Sequence, residues 1–175
     1  NQCLFKDGRT YSYMLYDGEQ KIIVTQNDIR AIQLAKAALY AGARLLMDKL
    51  DIKKIDKIRF AGAFGSHIDV KYAMVLGLIP DCDLDEVSSA GNAASTGART
   101  ALLDIKSRRE IEKEVKKIEK IETATEPLFQ EYFVGAMSIP HNSDPFDELS
   151  KVVKLPQKKT VKTTKKRRRR KKSDL

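Results

Sequence analysis

Apolar residues change their spacing along the chain, and each change predicts an element. Two short runs, tyrosine-rich 11–16 and β-branched 22–24, flank the turn-forming pair Asp17 and Gly18. That pattern predicts a β-hairpin over 11–24. Thr25 then suits a helix N-cap, with Asp28 three residues on as a relative of the capping box. From 26 to 49 helix formers dominate, and Ile29, Ile32, Ala35, Leu39, Leu46 and Leu50 fall on a helical stripe. Ala35, Ala37, Ala38, Ala41, Gly42 and Ala43 permit close approach, which predicts a core helix touching protein on more than one side.

Further on the segments shorten. A strand over 57–61 runs into Gly62, Ala63, Phe64 and Gly65. Asp69 is expected to cap a brief helix from 70 to about 76, stopped by Gly77. A second strand-to-helix junction follows: 87–90, then Gly91 and Asn92, then a small-residue helix over 93–101. A charged helix is expected over 108–117 with Ile111, Val115 and Ile118 inward, and 118–123 reads as extended. Pro127 opens a last helix, apolar on Leu128, Phe129, Tyr132, Phe133 and Met137. Past Pro140 the periodicity ends, and no internal repeat is visible. Strands alternating with helices predict an α/β layered fold.

Charge alters the picture once it is divided along the chain. The net charge is +9 over 175 residues, yet 151–175 hold 13 Lys/Arg and one acid while 1–150 hold 20 Lys/Arg against 23 Asp/Glu. The basicity therefore belongs to a tail and says little about the body. The expected division is a domain over 1–148 and a disordered Lys/Arg-rich tail over 149–175. No run approaches the ~20 consecutive apolar residues of a membrane-spanning helix, and no secretory signal is readable near the start. Cys3 and Cys82 are too few to ligate an iron–sulfur cluster or build a disulfide framework. The chain begins Asn1, Gln2, Cys3 without a methionine, which reads as a piece of a longer protein.

Few residues could carry chemistry. Gly62 and Gly65 follow a strand, where missing side chains let a backbone approach a ligand, although such a pair is often only a turn. Gly91 and Asn92 open a second junction of the same kind, and ligands of α/β folds lie beyond the carboxyl ends of strands. His67 and His141 read as surface or loop residues. Asp81, Asp83, Asp85 and Glu86 read as a solvated acidic turn, since they lack the spacing of a calcium loop. Cys82, within that run, has its thiolate disfavoured. Catalytic residues and metal ligands are therefore set at none: no Ser/His/Asp or Cys/His set can be assembled, and no Walker-type loop is present.

Five ordered segments carry a resemblance: 25–30 with 33–38, then 60–66, 91–94 and 126–133. Together they resemble the C-terminal domain of the ATP-dependent reductive activators of corrinoid proteins, over about residues 15–141. That resemblance implies a ribonuclease-H-like half of an actin-like ATPase fold, of the acetate and sugar kinase, heat-shock chaperone and actin superfamily. It implies nucleotide binding by Gln33, Lys36, Gly62, Ala63, Phe64, Gly65, Gly91 and Asn92, with 62–65 as the adenosine-contacting turn and Gln33 and Lys36 assisting from the preceding helix. The function implied is the ATP-driven return of corrinoid cofactors from Co(II) to Co(I) in methyltransferase systems. ATP, Mg-dependent in the intact family, is the implied cofactor, and an iron–sulfur cluster is expected only in parts this chain lacks. A corrinoid protein is the implied partner, with room for a homodimer, in the cytoplasm and away from membranes. This chain has no Asp-x-Gly-Thr phosphate loop, so it is expected to be inactive in ATP hydrolysis by itself. The alternative is a non-catalytic α/β interaction module whose basic tail, with eight consecutive Lys/Arg at 165–172, binds nucleic acid or other polyanions.

Overall fold

A computed structural model describes residues 3–155. The chain opens with an antiparallel meander of β1 (Leu4–Asp7), β2 (Thr10–Tyr16) and β3 (Ile22–Val24), in that spatial order. The expected hairpin is β2 with β3, Tyr13 facing Val24 and Met14 facing Ile23. Its connection is the five-residue 17–21 rather than a tight turn on Asp17 and Gly18, and Lys21 pairs with Asp17 across it at 3.0 Å. The tight turn sits one hairpin earlier. Asp7 pairs with Thr10 around Gly8 and Arg9, and Gly8 takes the left-handed φ of +59° that such a turn requires. The sequence reading missed β1, which is four residues long and mostly exposed.

Helix α1 (Gln26–Lys49) begins and ends as its sequence predicts. The Thr25 side chain accepts the Asp28 N–H at 3.3 Å, while the Asp28 carboxylate accepts the Thr25 N–H at 2.8 Å. This reciprocal cap satisfies two donors that the first helical turn leaves free. The face α1 buries is another matter. Lys36, Ala37, Tyr40, Ala41, Leu45 and Met47 are buried, whereas Ile29, Ile32, Leu39, Leu46 and Leu50 of the expected stripe are exposed. The buried face packs chiefly on α6 (Phe129–Ala136).

Two parallel strands follow, β4 (Ile58–Phe60) and β5 (Val87–Ser89), with Ile58 opposite Val87 and Phe60 opposite Ser89. Between them lie α2 (Ala63–His67) and α3 (Val70–Leu76), the latter capped by Asp69 and stopped by Gly77 at a φ of +73°. Next come α4 (Ala93–Leu103) and α5 (Ile105–Val115), which pack on each other and bury no residue. Ile111, Val115 and Ile118 are therefore exposed where the sequence reading had them inward. Segment 118–123 forms no strand, and a single 3-10 turn spans Thr123–Thr125.

The region past Pro140 is not structureless. Helix α7 (Asp147–Val152) seats Leu149 in the core, with Phe146 just before it and Val153 and Leu155 packed alongside. The boundary placed at 148 thus falls inside a helix, because two buried side chains outweigh the absence of a local period. The core joins Ala37 and Tyr40 of α1, Ala73 and Met74 of α3, Cys82, Val87, Ala136, Phe146 and Leu149. The disordered-tail expectation for 156–175 lies outside the described residues.

Candidate functional site

The carboxyl ends of β4 and β5 come together at their two glycine junctions. Ala90 N–H donates to the Phe60 carbonyl at 2.7 Å, and Gly62 N–H donates to the Gly91 carbonyl at 2.8 Å. Gly62 and Gly91 have φ of +105° and +62°, and a Cβ on either would meet nothing within 4 Å. Glycine is thus demanded there by backbone conformation, and the space above both residues is open. Gly65 has a different reason. It is buried, and a Cβ would lie 2.5 Å from the Phe60 Cβ, so its absence lets α2 fold back onto the end of β4.

Side chains complete this edge. Ser89 Oγ accepts the Gly91 N–H at 3.1 Å, Ser66 Oγ donates to the Gly62 carbonyl at 3.2 Å, and the two hydroxyls lie 3.4 Å apart. The sequence reading missed both serines, whose signal was their place at the strand end and one residue past the second glycine. Asn92 Oδ1 accepts the Ser95 N–H at 3.0 Å and caps α4. Ala63 is exposed, and Phe64 is 77% exposed beside the junction. Six of the eight expected binding residues, at 62–65 and 91–92, are thereby brought to one edge.

Gln33 and Lys36 are used elsewhere. Gln33 Nε2 donates to the Met137 carbonyl at 3.0 Å, and Lys36 Nζ donates to the carbonyls of Ser138 and of Pro140, the latter at 2.7 Å. Lys36 is 0% exposed, and burial pushes its ammonium down to about 8. Both polar ends thus secure the 137–140 backbone rather than reaching the glycine junctions, because one face of α1 carries them into the contact with α6. Gly77 shares this knot, where a Cβ would fall 2.0 Å from the Pro140 oxygen.

His141, expected at the surface or in a loop, lies in the loop between α6 and α7 but is buried there, and it stacks on Tyr40 with ring centroids 4.8 Å apart. Its Nδ1 accepts the Asp144 N–H at 2.9 Å and the Ser143 N–H at 3.3 Å. Tyr40 donates its hydroxyl to Asp144 at 2.8 Å, and burial followed by that carboxylate pushes its ionisation far up. His67 is exposed at the end of α2. The acidic turn is partly structural, since Asp81 accepts the Glu148 and Leu149 N–H groups at 2.8 and 3.1 Å and so caps α7. Burial first, and then Asp83, raises the Cys82 thiol, which disfavours a nucleophilic thiolate.

The residues present match the implied groups unevenly. Open backbone at Gly62 and Gly91 suits the flat edge of an adenosine, but no glycine-rich phosphate cradle accompanies it. Among the described residues no group of three or more His, Cys, Asp or Glu side chains is placed to hold a metal. An iron–sulfur cluster does not fit either: Cys3 is exposed, Cys82 is buried, and the sequence has no other thiol.

Fold and edge together define an α/β lobe of the ribonuclease-H-like kind, half of an actin-like ATPase fold. The family described as "C-terminal domain of RACo the ASKHA domain" matches residues 1–150, and the chain belongs to that family. It is similar to the "Corrinoid activation enzyme RamQ" of Eubacterium limosum, 45% identical over 116 residues that are 65% of this chain and 19% of that protein. It is also similar to the solved "Reductive activator for corrinoid,iron-sulfur protein", at TM-score 0.68 and 32% identity, covering 80% of this chain and 23% of that one. The chain spans about a fifth of the length of these relatives.

Proposed function

We propose that the chain is the nucleotide-binding C-terminal portion of an ATP-dependent reductive activator that returns a corrinoid cofactor from Co(II) to Co(I). The observation that carries this is the stitched pair of glycine junctions at the ends of β4 and β5, in a chain of the corrinoid-activator family. In the reading, the open backbone at Gly62 and Gly91 receives the adenosine, with Ala63, Phe64 and Asn92 around it and Gly65 holding the turn in place. Nucleotide binding and hydrolysis supply the drive, and one electron from a low-potential donor reduces the cobalt. The phosphate and metal contacts and the electron route belong to parts of an activator that this chain does not contain. The chain by itself therefore binds nucleotide weakly and does not hydrolyse it, because phosphoryl transfer rests on positioning phosphates and metal. Its partner is the corrinoid protein of a methyltransferase system, and its compartment is the cytoplasm.

The test is titration of a fluorescent ATP analogue into the chain. Ala63 is exposed, so Ala63→Glu adds bulk and negative charge at the edge without disturbing the core. Affinity should fall by about tenfold, or ~1.4 kcal/mol, with the melting temperature unchanged. Equal affinity in parent and variant would move the nucleotide away from this edge.

A second reading rests on the eight consecutive Lys/Arg at 165–172, set against a body of net negative charge. On that reading the tail binds polyanions through phosphate neutralisation, with no aromatic after Phe146 for base stacking. Binding of a nucleic acid that is lost on deleting 156–175 and falls steeply with salt supports it; salt-insensitive binding does not.

A further inference from the structure

Helix α1 is apolar on two sides and uses only one. Its buried face, from Ala37 to Met47, meets the core and α6. Its other face presents Ile32 at 42%, Leu39 at 52%, Leu46 at 51% and Leu50 at 67% exposure, in steps of seven, seven and four residues that keep them aligned on the helix. Ala38 and Gly42, with Leu39 and Leu46, line a groove of ≈ 470 Å³ whose other side is Glu119, Ile121 and Thr123. A helix that is apolar all round belongs inside a protein. A face of this kind, about 27 Å from Ile32 to Leu50 at the helical rise, is more than a self-contained surface leaves bare.

We propose that this second face of α1 is a docking seam for the part of a corrinoid activator that lies outside the family segment matched here. The occupant follows from two observations. The relatives carry most of their length outside the match, which covers 19% of one and 23% of the other. The exposed apolar side chains are also dispersed over the meander, α1 and the α4–α5 hairpin, which a single two-fold contact with a second copy cannot cover at once. The seam is mostly apolar: between Ala31 and Ala43 the only charged side chain is the buried Lys36, and Glu119 is the one charged residue lining the groove. The small lining residues Ala38, Gly42 and Ala43 let a partner's backbone or side chains approach closely. The inference rests on family membership and not on the adenosine assignment, so its test contains no nucleotide.

The chain is mixed with the Eubacterium limosum enzyme shortened to the portion that this chain does not match, and sedimentation reads the result. The expected outcome is a one-to-one complex that Leu39→Arg weakens by at least about tenfold, while the variant chain keeps the parent's circular dichroism and melting. Leu46→Glu is the second variant, since it too is half-exposed and spares the core. A complex indifferent to both variants overturns the seam. So does a chain that stays monomeric beside a probe that itself melts cooperatively. A chain that instead dimerises, with the dimer broken by Leu39→Arg, assigns the seam to a second copy and equally overturns the proposal.

Discussion

Lys36 shows how much a single buried charge can do and what it costs. Its ammonium reaches two carbonyls 102 and 104 residues away, and burial without a carboxylate partner lowers it from 10.5 to about 8. An ammonium depressed in the folded state binds fewer protons there than in the unfolded chain between those two values. Stability therefore rises with pH through that window and is lost as pH falls through about 8. Comparison with Lys36→Met isolates the effect from other titrating groups. The parent should gain about 2 kcal/mol relative to the variant between roughly pH 7.5 and 9.5. Denaturant midpoints at matched pH values check it, and parallel curves would show that Lys36 is solvated. Glycine behaves differently at neighbouring positions of the same turn. Gly62 is required by its φ, whereas Gly65 is required by the Phe60 side chain 2.5 Å from where its own Cβ would sit.

At the scale of elements, caps decide where helices begin, and one of them works at long range. Thr25 and Asp28 cap α1 from its own end, a pattern visible in four consecutive residues. Asp81 caps α7 from 67 residues away, each carboxylate oxygen accepting one N–H of its first turn. A carboxylate there also meets the positive end of the helix favourably. Asp81→Ala should cost about 1–2 kcal/mol and, more specifically, should speed amide exchange and proteolysis over 147–152 while α1 keeps its protection. Uniform exchange rates across the parent and variant would assign α7 to its apolar contacts alone. The α4–α5 hairpin lies at the opposite extreme, with Asn92 and Asp104 capping helices that bury nothing.

At the scale of the molecule, the surface is unusually apolar for a lone domain. Among the described residues 26 large apolar side chains are exposed, against 13 hydrophobic residues in the core. No described helix is long and apolar enough to cross a membrane, so a bilayer-spanning helix does not account for them. The isolated chain should accordingly bind an apolar dye such as ANS while keeping a cooperative melt and its near-ultraviolet circular dichroism. That combination separates an unpartnered interface from a molten globule, which binds dye but loses tertiary signals. Dye fluorescence should drop in the Leu39→Arg, Leu46→Glu double variant. An unchanged signal would place the dye on the meander or the α4–α5 hairpin instead.

The sequence by itself determined the features that are settled within a few residues. The bounds of α1, the cap and stop of α3 and the two strand-to-glycine junctions all follow from capping side chains, left-handed glycines and local period. The five ordered segments carried the family as well, and six of the eight residues expected to bind nucleotide meet at one edge because the junctions that hold them are local. What only the tertiary structure decided depends on partners far along the chain. Which apolar face of α1 is buried, whether Gln33 and Lys36 face a ligand or the 137–140 carbonyls, and whether His141 is buried are fixed by contacts about a hundred residues away. The same holds for α7, whose six residues are too few to show a period and which is held by Asp81 and the core. A spacing rule reports that a helix has an apolar side, but with two such sides available, long-range packing chooses between them.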